Sequence, residues 1–401
     1  MTTNYDIITV GGGLGGAALA KAMAERGHRV LVVERETQFK DRVRGEWLAP
    51  WGVAEARELG IYDLLLNSCG YHPQLWDTRM GAASVGERDL SQTTVQGLHS
   101  MTFYHPKMQE TVLAAAGQAG AEVRRGVRVT AIEPGAEPAA RLEWNGSSET
   151  VSARLIIGAD GRGSPVRKWA GVGAAQIAER NQIGGIFFES IAVPQDRCVA
   201  AFNPLMQRFA LSFPQGDGRG RLYFANRVDE GTRHQGEKAV PAFIQDSIKT
   251  GMPADYFEGA RHFGPLATFA GSYEWADPPY RDGVAVVGDA AATSDPTWGQ
   301  GLSLTLRTVR GLRDALSAEE DWSGAGAAYA EDFSRYWGTL RTVEQWYTDL
   351  FFGKGPEADA LRGRVLPRLA QDAGMLHDCF MSGPDAAPAD EAARRRMFAE
   401  E

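Results

Sequence analysis

Residues 5–34 read YDIITVGGGLGGAALAKAMAERGHRVLVVE, and their order decides the fold. Tyr5 to Val10 is a short apolar run, Gly11 to Gly16 a glycine-rich turn, Ala17 to Arg26 a stretch of helix formers, and Arg29 to Val33 apolar and β-branched. That order predicts a strand, a crossover helix and a second, parallel strand. A right-handed crossover puts the first strand centrally in a parallel sheet, its carboxyl end facing a ligand crevice. Gly11, Gly13 and Gly16 fill the three required places of G-x-G-x-x-G. The first permits the tight turn, the second lets the backbone approach a pyrophosphate, and the third lets helix and strand pack closely, while the helix N-terminus offers amide donors. Glu34 ends the second strand, where a carboxylate accepts both ribose hydroxyls of a dinucleotide and repels a 2′-phosphate. Arg35, next to it, is assigned to the same crevice.

Outward from this unit, His105 to Ala119 reads as a helix and Val127 to Ile132 as a strand. Ala140 to Trp144 runs into Asn145-Gly146, a hairpin signal, and returns through Val151 to Leu155. From Ile183 to Arg227 short aromatic strands predict an antiparallel sheet, whose Phe187 and Phe213 are candidates for a pocket wall. A further strand, Gly283 to Val287, leads to a glycine-rich turn and a helix from Gly301 to Leu316. From Trp322 onward helix formers prevail, with Trp337, Trp346 and Tyr347 predicted to pack an appendage on the body and the last 18 residues expected to fray. The expected architecture is α/β. A Rossmann-like nucleotide domain over 1–70, 98–170 and 275–320 carries an inserted antiparallel-sheet domain over 71–97 and 171–274, with C-terminal helices over 321–401.

Composition narrows the chemistry. With 401 residues, 43% of them hydrophobic, the chain is long enough for a sizeable core without staples. Cys69, Cys198 and Cys379 match no metal or redox spacing and read as buried free thiols, and the seven histidines form no zinc-like pair, so no metal is expected. A net charge of −9 disfavours nucleic acid and anionic membranes as partners, and Arg124, Arg125 and Arg128 read as a solvated strand edge. No apolar run reaches the roughly 18 residues of a membrane span and no signal peptide precedes Tyr5, which predicts a cytoplasmic protein.

Two further motifs follow strands. Asp160-Gly161-Arg162-Gly163-Ser164-Pro165 comes after Leu155 to Gly158, and Gly288-Asp289 comes after Val287, with Pro296-Thr297-Trp298-Gly299-Gln300-Gly301 opening the next helix. An aspartate at a strand end can hold a ribityl or ribose hydroxyl, and free amides near Gly299 would stabilise negative charge above them. These three motifs, in this order, resemble the para-hydroxybenzoate hydroxylase-like (class A) flavoprotein monooxygenases over about residues 5 to 317. The resemblance implies a glutathione-reductase-type FAD-binding domain, in which Gly11, Gly13, Gly16 and Glu34 bind the ADP part. Asp160 would bridge FAD and the nicotinamide donor, and Gly288 and Asp289 would hold the ribityl and pyrophosphate region. Pro296, Gly299, Gln300 and Gly301 would line the flavin ring, Arg44 would stand near the FAD phosphates, and Val129 would meet the adenine through its backbone. His105 stands where the family's helix begins with Arg or Gln. This chain also has Ala292 where the family commonly has His, and Ser303 where it commonly has Asn.

There is one complete dinucleotide fingerprint, so no second Rossmann domain is expected for NADPH or NADH. The resemblance implies that this reductant binds transiently and reduces FAD, which then captures dioxygen as the 4a-hydroperoxide and hydroxylates or epoxidises a small substrate. The aromatic middle region points to an aromatic or polycyclic, natural-product-like molecule, with Trp298 either bordering it or packed beneath the flavin. No side chain is assigned as catalytic acid or base, because the cofactor carries the difficult chemistry. A reductase resembling geranylgeranyl reductases, a flavin-dependent halogenase and a non-catalytic escort protein are the competing readings. A separate flavin reductase is a further partner to be tested. The halogenase is disfavoured because no Trp-x-Trp-x-Ile-Pro stretch occurs.

Overall fold

The computed structural model describes residues 5–318 and 320–400. Tyr5–Val10 lies centrally in a parallel sheet, between Val30–Glu34 and Ser147–Gly158. Glu122–Arg125 extends the sheet beside Val30–Glu34, and Val284–Val286 beside Ser147–Gly158. Val30–Glu34 and Val284–Val286 are buried throughout, and Tyr5–Val10 and Ser147–Gly158 toward their carboxyl ends, which is why those segments read as continuous apolar runs rather than alternating ones, while Glu122–Arg125 forms the half-exposed edge. The helices Leu14–Ala24, His105–Gln118 and Gly301–Ala318 pack beside this sheet. The predicted hairpin joins Ala139–Trp144 to Ser147–Gly158, with Asn145 and Gly146 both at positive φ, as its two-residue turn requires.

The middle region forms a seven-stranded sheet in the order Arg261–Ala270, Asn181–Ser190, Gly220–Arg227, Arg208–Pro214, Arg197–Asn203, Leu75–Met80 and Ala83–Asp89. All its pairs are antiparallel except Arg197–Asn203 with Leu75–Met80. Alternation sorts its aromatic residues between two cores. Phe209, Leu211, Phe213 and Tyr223 join the core shared with the nucleotide fold, whereas Phe188, Leu222 and Phe224 pack on the other face with Phe243 of the helix Val240–Thr250.

Beyond Gly301–Ala318 comes the helix Trp322–Phe352, 31 residues long, packed along it. Arg307 fastens the two, donating to both carboxylate oxygens of Asp332 at 2.7 and 2.9 Å and to Asp385 at 2.9 Å. The tail does not fray as expected. Glu391–Phe398 is a helix with Asp390 as its N-cap, Met397 and Phe398 are buried, and Arg364 donates to the Phe398 carbonyl at 2.8 Å. The arginine cluster stands on edge strands as expected, Glu122–Arg125 and Arg128–Glu133, with Arg128 exposed, but two of its members are paired: Arg124 with Glu122 and Glu149, and Arg125 in a fork on Glu110 over the Phe39 ring. Cys198 and Cys379 are buried and Cys69 is half-buried. No described helix is long and apolar enough to cross a membrane.

Candidate functional site

A cleft of about 610 Å³ runs along the carboxyl ends of the parallel strands, a volume in the range of small-ligand sites. The glycine turn forms one wall, and its three key glycines have different reasons to be glycine. Gly11 has φ +104°, and a Cβ there would lie 2.3 Å from the Ala159 carbonyl oxygen. At Gly16 a Cβ would sit 1.9 Å from the Gly11 oxygen. At Gly13 it would meet only the Gln109 side chain, at 3.4 Å. The fold therefore demands the first and third glycines, while the second leaves open space toward the cleft. Gly13 precedes the helix Leu14–Ala24, whose N-terminus has no side-chain cap and no acidic residue in its first turn. Such an end carries free amides and partial positive charge, which fits a pyrophosphate.

Glu34, at the end of its strand, is 6% exposed and held at both oxygens: the Gly12 N–H donates to Oε2 at 2.7 Å and the Glu36 N–H to Oε1 at 2.8 Å. Each carboxylate oxygen keeps a second lone pair, so the geometry suits two ribose hydroxyls. Arg35 and Val129 line this end of the cleft. Asp160 also lines it but is engaged internally. Its Oδ1 accepts from the Ser164 hydroxyl at 2.5 Å and its Oδ2 from the Val166 N–H at 3.0 Å, bracing the short helix Pro165–Trp169. Burial pushes its carboxyl above the ordinary range, opposed by those hydrogen bonds.

At its inner end the cleft opens into a smaller cavity of about 130 Å³, and Arg44, His105, Arg162, Gly288, Asp289, Leu302 and Thr305 stand at or beside the junction. Asp289 is pushed up by burial, against the pull of the Arg44 and Arg162 guanidiniums. One cavity wall is the loop carrying Thr293, Ser294, Pro296, Gly299 and Gly301, and the facing wall is apolar, with Trp47, Ile183, Leu211, Phe213, Tyr223 and Phe269. Trp47 and Phe213 stack at 5.7 Å, only 4° from parallel. At the base of that wall lies an ionic knot in which Arg221 and Glu46 have no solvent exposure and Asp41 little. Arg221 donates to both oxygens of Glu46 at 3.0 and 2.8 Å and to Asp41 at 2.8 Å. Glu46 in turn accepts from the His105 N–H at 3.0 Å and from Gln215 at 2.6 Å, so the knot also caps the helix His105–Gln118.

His105 Nδ1 stands 2.8 Å from the Gly45 carbonyl, which only accepts, so Nδ1 carries the proton and Nε2 is a lone-pair acceptor. Burial pulls this imidazole down to about 4, against the Gly45 contact. A histidine depressed in the fold but not in the unfolded chain stabilises fully above pH 6.5, and that contribution is lost as pH falls toward 4. The expected loss is roughly 2–3 kcal/mol. His105→Gln should remove that part of the acid sensitivity in thermal unfolding followed from pH 7 to pH 4. An unchanged decline would mean that His105 titrates normally.

Several sequence-predicted residues stand elsewhere. Trp298 does not border the cavity: it is buried among Phe209, Tyr347, Phe351, Phe352 and Phe380, and its indole N–H donates to Thr348 at 3.1 Å. The Gln300 side chain is a tie, accepting from Trp51 at 3.0 Å and donating to the Trp298 carbonyl at 2.6 Å. Phe187 packs against Tyr104, Phe263 and the Arg221 guanidinium, outside the cavity lining. Gly16 does not line the cleft and is packed against Gly11 and Thr9. Sequence reasoning did not single out Glu46, Trp47, Arg162, Tyr223 or Phe269 as site residues. Glu46 and Trp47 stand two and three residues after Arg44, so a charged residue beside an aromatic next to an expected phosphate contact was the available signal.

A model of the FAD binding domain family matches residues 4–326. The ubiquinone hydroxylase UbiL of Rhodospirillum rubrum is 28% identical over 343 residues, covering 81% of this chain and 76% of that protein. The digeranylgeranylglycerophospholipid reductase of Methanosphaerula palustris is 26% identical over 322 residues, covering 75% of this chain and 73% of that protein. Among solved structures, p-nitrophenol 4-monooxygenase PnpA from Pseudomonas putida DLL-E4 shares the fold with a TM-score of 0.77 at 17% identity, over 95% of this chain and 98% of that one.

Proposed function

Because the chain belongs to the FAD binding domain family, we propose that it is an FAD-dependent monooxygenase, reduced by NADPH or NADH, that places one oxygen atom on a small aromatic or polycyclic substrate. The observation that carries this reading is the apolar cavity at the inner end of the nucleotide cleft, with Arg44, His105 and Asp289 at the shared opening. FAD supplies the electron transfer and the activation of dioxygen. The rest falls to the chain. Gly13 and the N-terminus of Leu14–Ala24 would receive the pyrophosphate, Glu34 the adenosine ribose, and Asp289 the ribityl chain. Arg44 and Arg162 would add positive charge at the junction, where the flavin ring would lie against Pro296, Gly299 and Gly301. The amides opening the helix Gly301–Ala318 would favour negative charge on that ring.

Beyond the ring, Trp47, Phe213, Tyr223, Ile183 and Leu211 would hold the substrate and keep water out. A cytoplasmic setting, where NADPH and NADH are at hand, suits this chemistry.

The similarity to an archaeal lipid reductase keeps a second reading, double-bond reduction on the same cofactor body. The two separate on one experiment. FAD-loaded protein is reduced anaerobically by NADPH or NADH and then mixed with dioxygen. Two-phase reoxidation through a transient with its own absorbance supports the monooxygenase, and single-phase reoxidation supports the reductase. Reduction by dithionite but by neither pyridine nucleotide would assign the electrons to a separate flavin reductase.

A further inference from the structure

Beneath the cavity loop, the Tyr273 hydroxyl and both carboxyl oxygens of Glu344 are buried side by side without a hydrogen-bond partner, and so are Asn181 Oδ1 and Thr297 Oγ1, on the two residues that bond Asp295. Glu344 comes from the helix Trp322–Phe352 and has no solvent exposure. Facing it are the Tyr273 hydroxyl, the Ser294 side chain and the Asp295 carboxyl, with the Cys379 thiol nearby. Every titratable group in that set is an acid, and among the described residues no Lys, Arg or His forms an ion pair with Glu344. Asp295 is differently placed. Its Oδ1 accepts from the Thr297 N–H and its Oδ2 from Asn181 Nδ2, each at 2.9 Å, contacts that favour a carboxylate. Two buried carboxyls side by side resist ionising together, and the Arg180 charge acting on Asp295 with its two hydrogen bonds leaves the charge on Asp295 and the proton on Glu344.

We propose that Glu344, in its protonated form, is a positioning residue for the loop Thr293–Gly299, its carboxyl hydroxyl donating to the polar groups beneath that loop. The loop forms one wall of the cavity through Thr293, Ser294, Pro296 and Gly299, so Glu344 acts on the site through it. The C-terminal helix thereby contributes to a site from which it supplies no lining residue. A second link runs through the same turn of helix: Thr348 donates to the Glu344 carbonyl at 2.8 Å and accepts from Trp298 at 3.1 Å. Burial holds the Glu344 carboxyl well above the ordinary range, and the neighbouring Asp295 pushes the same way. A carboxyl raised in the fold stabilises fully below the unfolded value and loses that contribution as pH rises through the folded one. The loop is therefore expected to loosen toward alkaline pH.

The loop's part in holding flavin rests on the function proposed above, so the test has arms that need no cofactor. In cofactor-free protein, Glu344→Gln should remove the infrared carbonyl band of a protonated carboxyl. Hydrogen exchange of loop amides, corrected for the intrinsic pH effect, should accelerate with pH in wild-type protein, stay slow in Glu344→Gln, and be fast throughout in Glu344→Ala. With FAD as the probe, Glu344→Gln should bind within about twofold of wild type at pH 6, and Glu344→Ala about tenfold more weakly. Wild type should weaken toward the Ala variant as pH rises. An unchanged infrared band, or a Gln variant that behaves like Ala at pH 6, would overturn the proposal, as would an Ala variant with a slowly exchanging loop. If wild-type protein bound no FAD, the function reading would fall, and the infrared and exchange arms would still decide on Glu344.

Discussion

Gly13→Ala is expected to raise the dissociation constant of FAD by at least a hundredfold while leaving the cofactor-free fold as stable as wild type. A methyl at this position meets nothing closer than 3.4 Å in the protein, so it adds no strain to the chain. It does occupy the space through which a pyrophosphate would approach the N-terminus of Leu14–Ala24. Loss of two charge-assisted hydrogen bonds there, each about 1.5–3 kcal/mol, corresponds to two orders of magnitude or more in affinity. Gly16→Ala provides the contrast. Its Cβ would fall 1.9 Å from the Gly11 oxygen and 2.8 Å from Thr9 Cγ2, an overlap that only backbone movement relieves. That variant is expected to lose several kcal/mol, more than the about 1–3 typical of overpacking. Calorimetric titration of FAD and thermal unfolding of the cofactor-free proteins separate the two effects. Wild-type affinity in Gly13→Ala would mean that the phosphates do not pass over this backbone.

The second large effect concerns the knot at the base of the cavity wall. Arg221→Met should cost about 3–5 kcal/mol, because Glu46 and Asp41 are left buried without their shared counter-charge. Glu46 and Asp41 together hold the Arg221 guanidinium charged, and Arg221 opposes the upward push of burial on Glu46. Without Arg221 the push of burial and of the Asp41 charge is opposed mainly by the His105 N–H, so Glu46 takes up a proton in the fold that the unfolded chain releases near 4.5. The deficit of the variant should accordingly be smaller at pH 5 and larger at pH 8. The double variant Arg221→Met with Glu46→Leu should recover at least half of the loss, since a matched apolar pair needs no counter-charge. Urea unfolding of the three variants at both pH values tests this. A single-variant loss below about 1 kcal/mol, independent of pH, would show that water reaches the knot and that it does not set the cavity wall.

The nucleotide half of the molecule was legible because its constraints are local. Six consecutive residues hold a turn whose Gly11 and Gly16 no larger residue can replace, the two flanking strands are mostly apolar, and Glu34 stands at the end of the second. Local rules also identified the Asn145-Gly146 hairpin and the two strand-end aspartates. They could not show that Asp160 gives both oxygens to Ser164 and Val166.

What the chain order could not reveal was which side of an element a residue faces once distant segments meet. Phe213 and Phe187 belong to similar aromatic strands, yet one lines the cavity and the other packs against Tyr104 and Arg221. Trp298 lies in the right loop and points the wrong way, because the C-terminal helices bring Tyr347, Phe352 and Phe380 to enclose it. The tail was read as fraying from its charge, but its two buried residues, Met397 and Phe398, anchor it. Glu46 with Arg221 lies 175 residues apart in sequence, and Asp295 and Glu344 come from separate segments. The sequence by itself determined a dinucleotide crevice and its cofactor class, because backbone geometry and short-range hydrogen bonding are set within a few residues. Only the tertiary structure decided the cavity, its ionic backing and its buried acids, because burial and charge pairing depend on which remote side chains exclude water together.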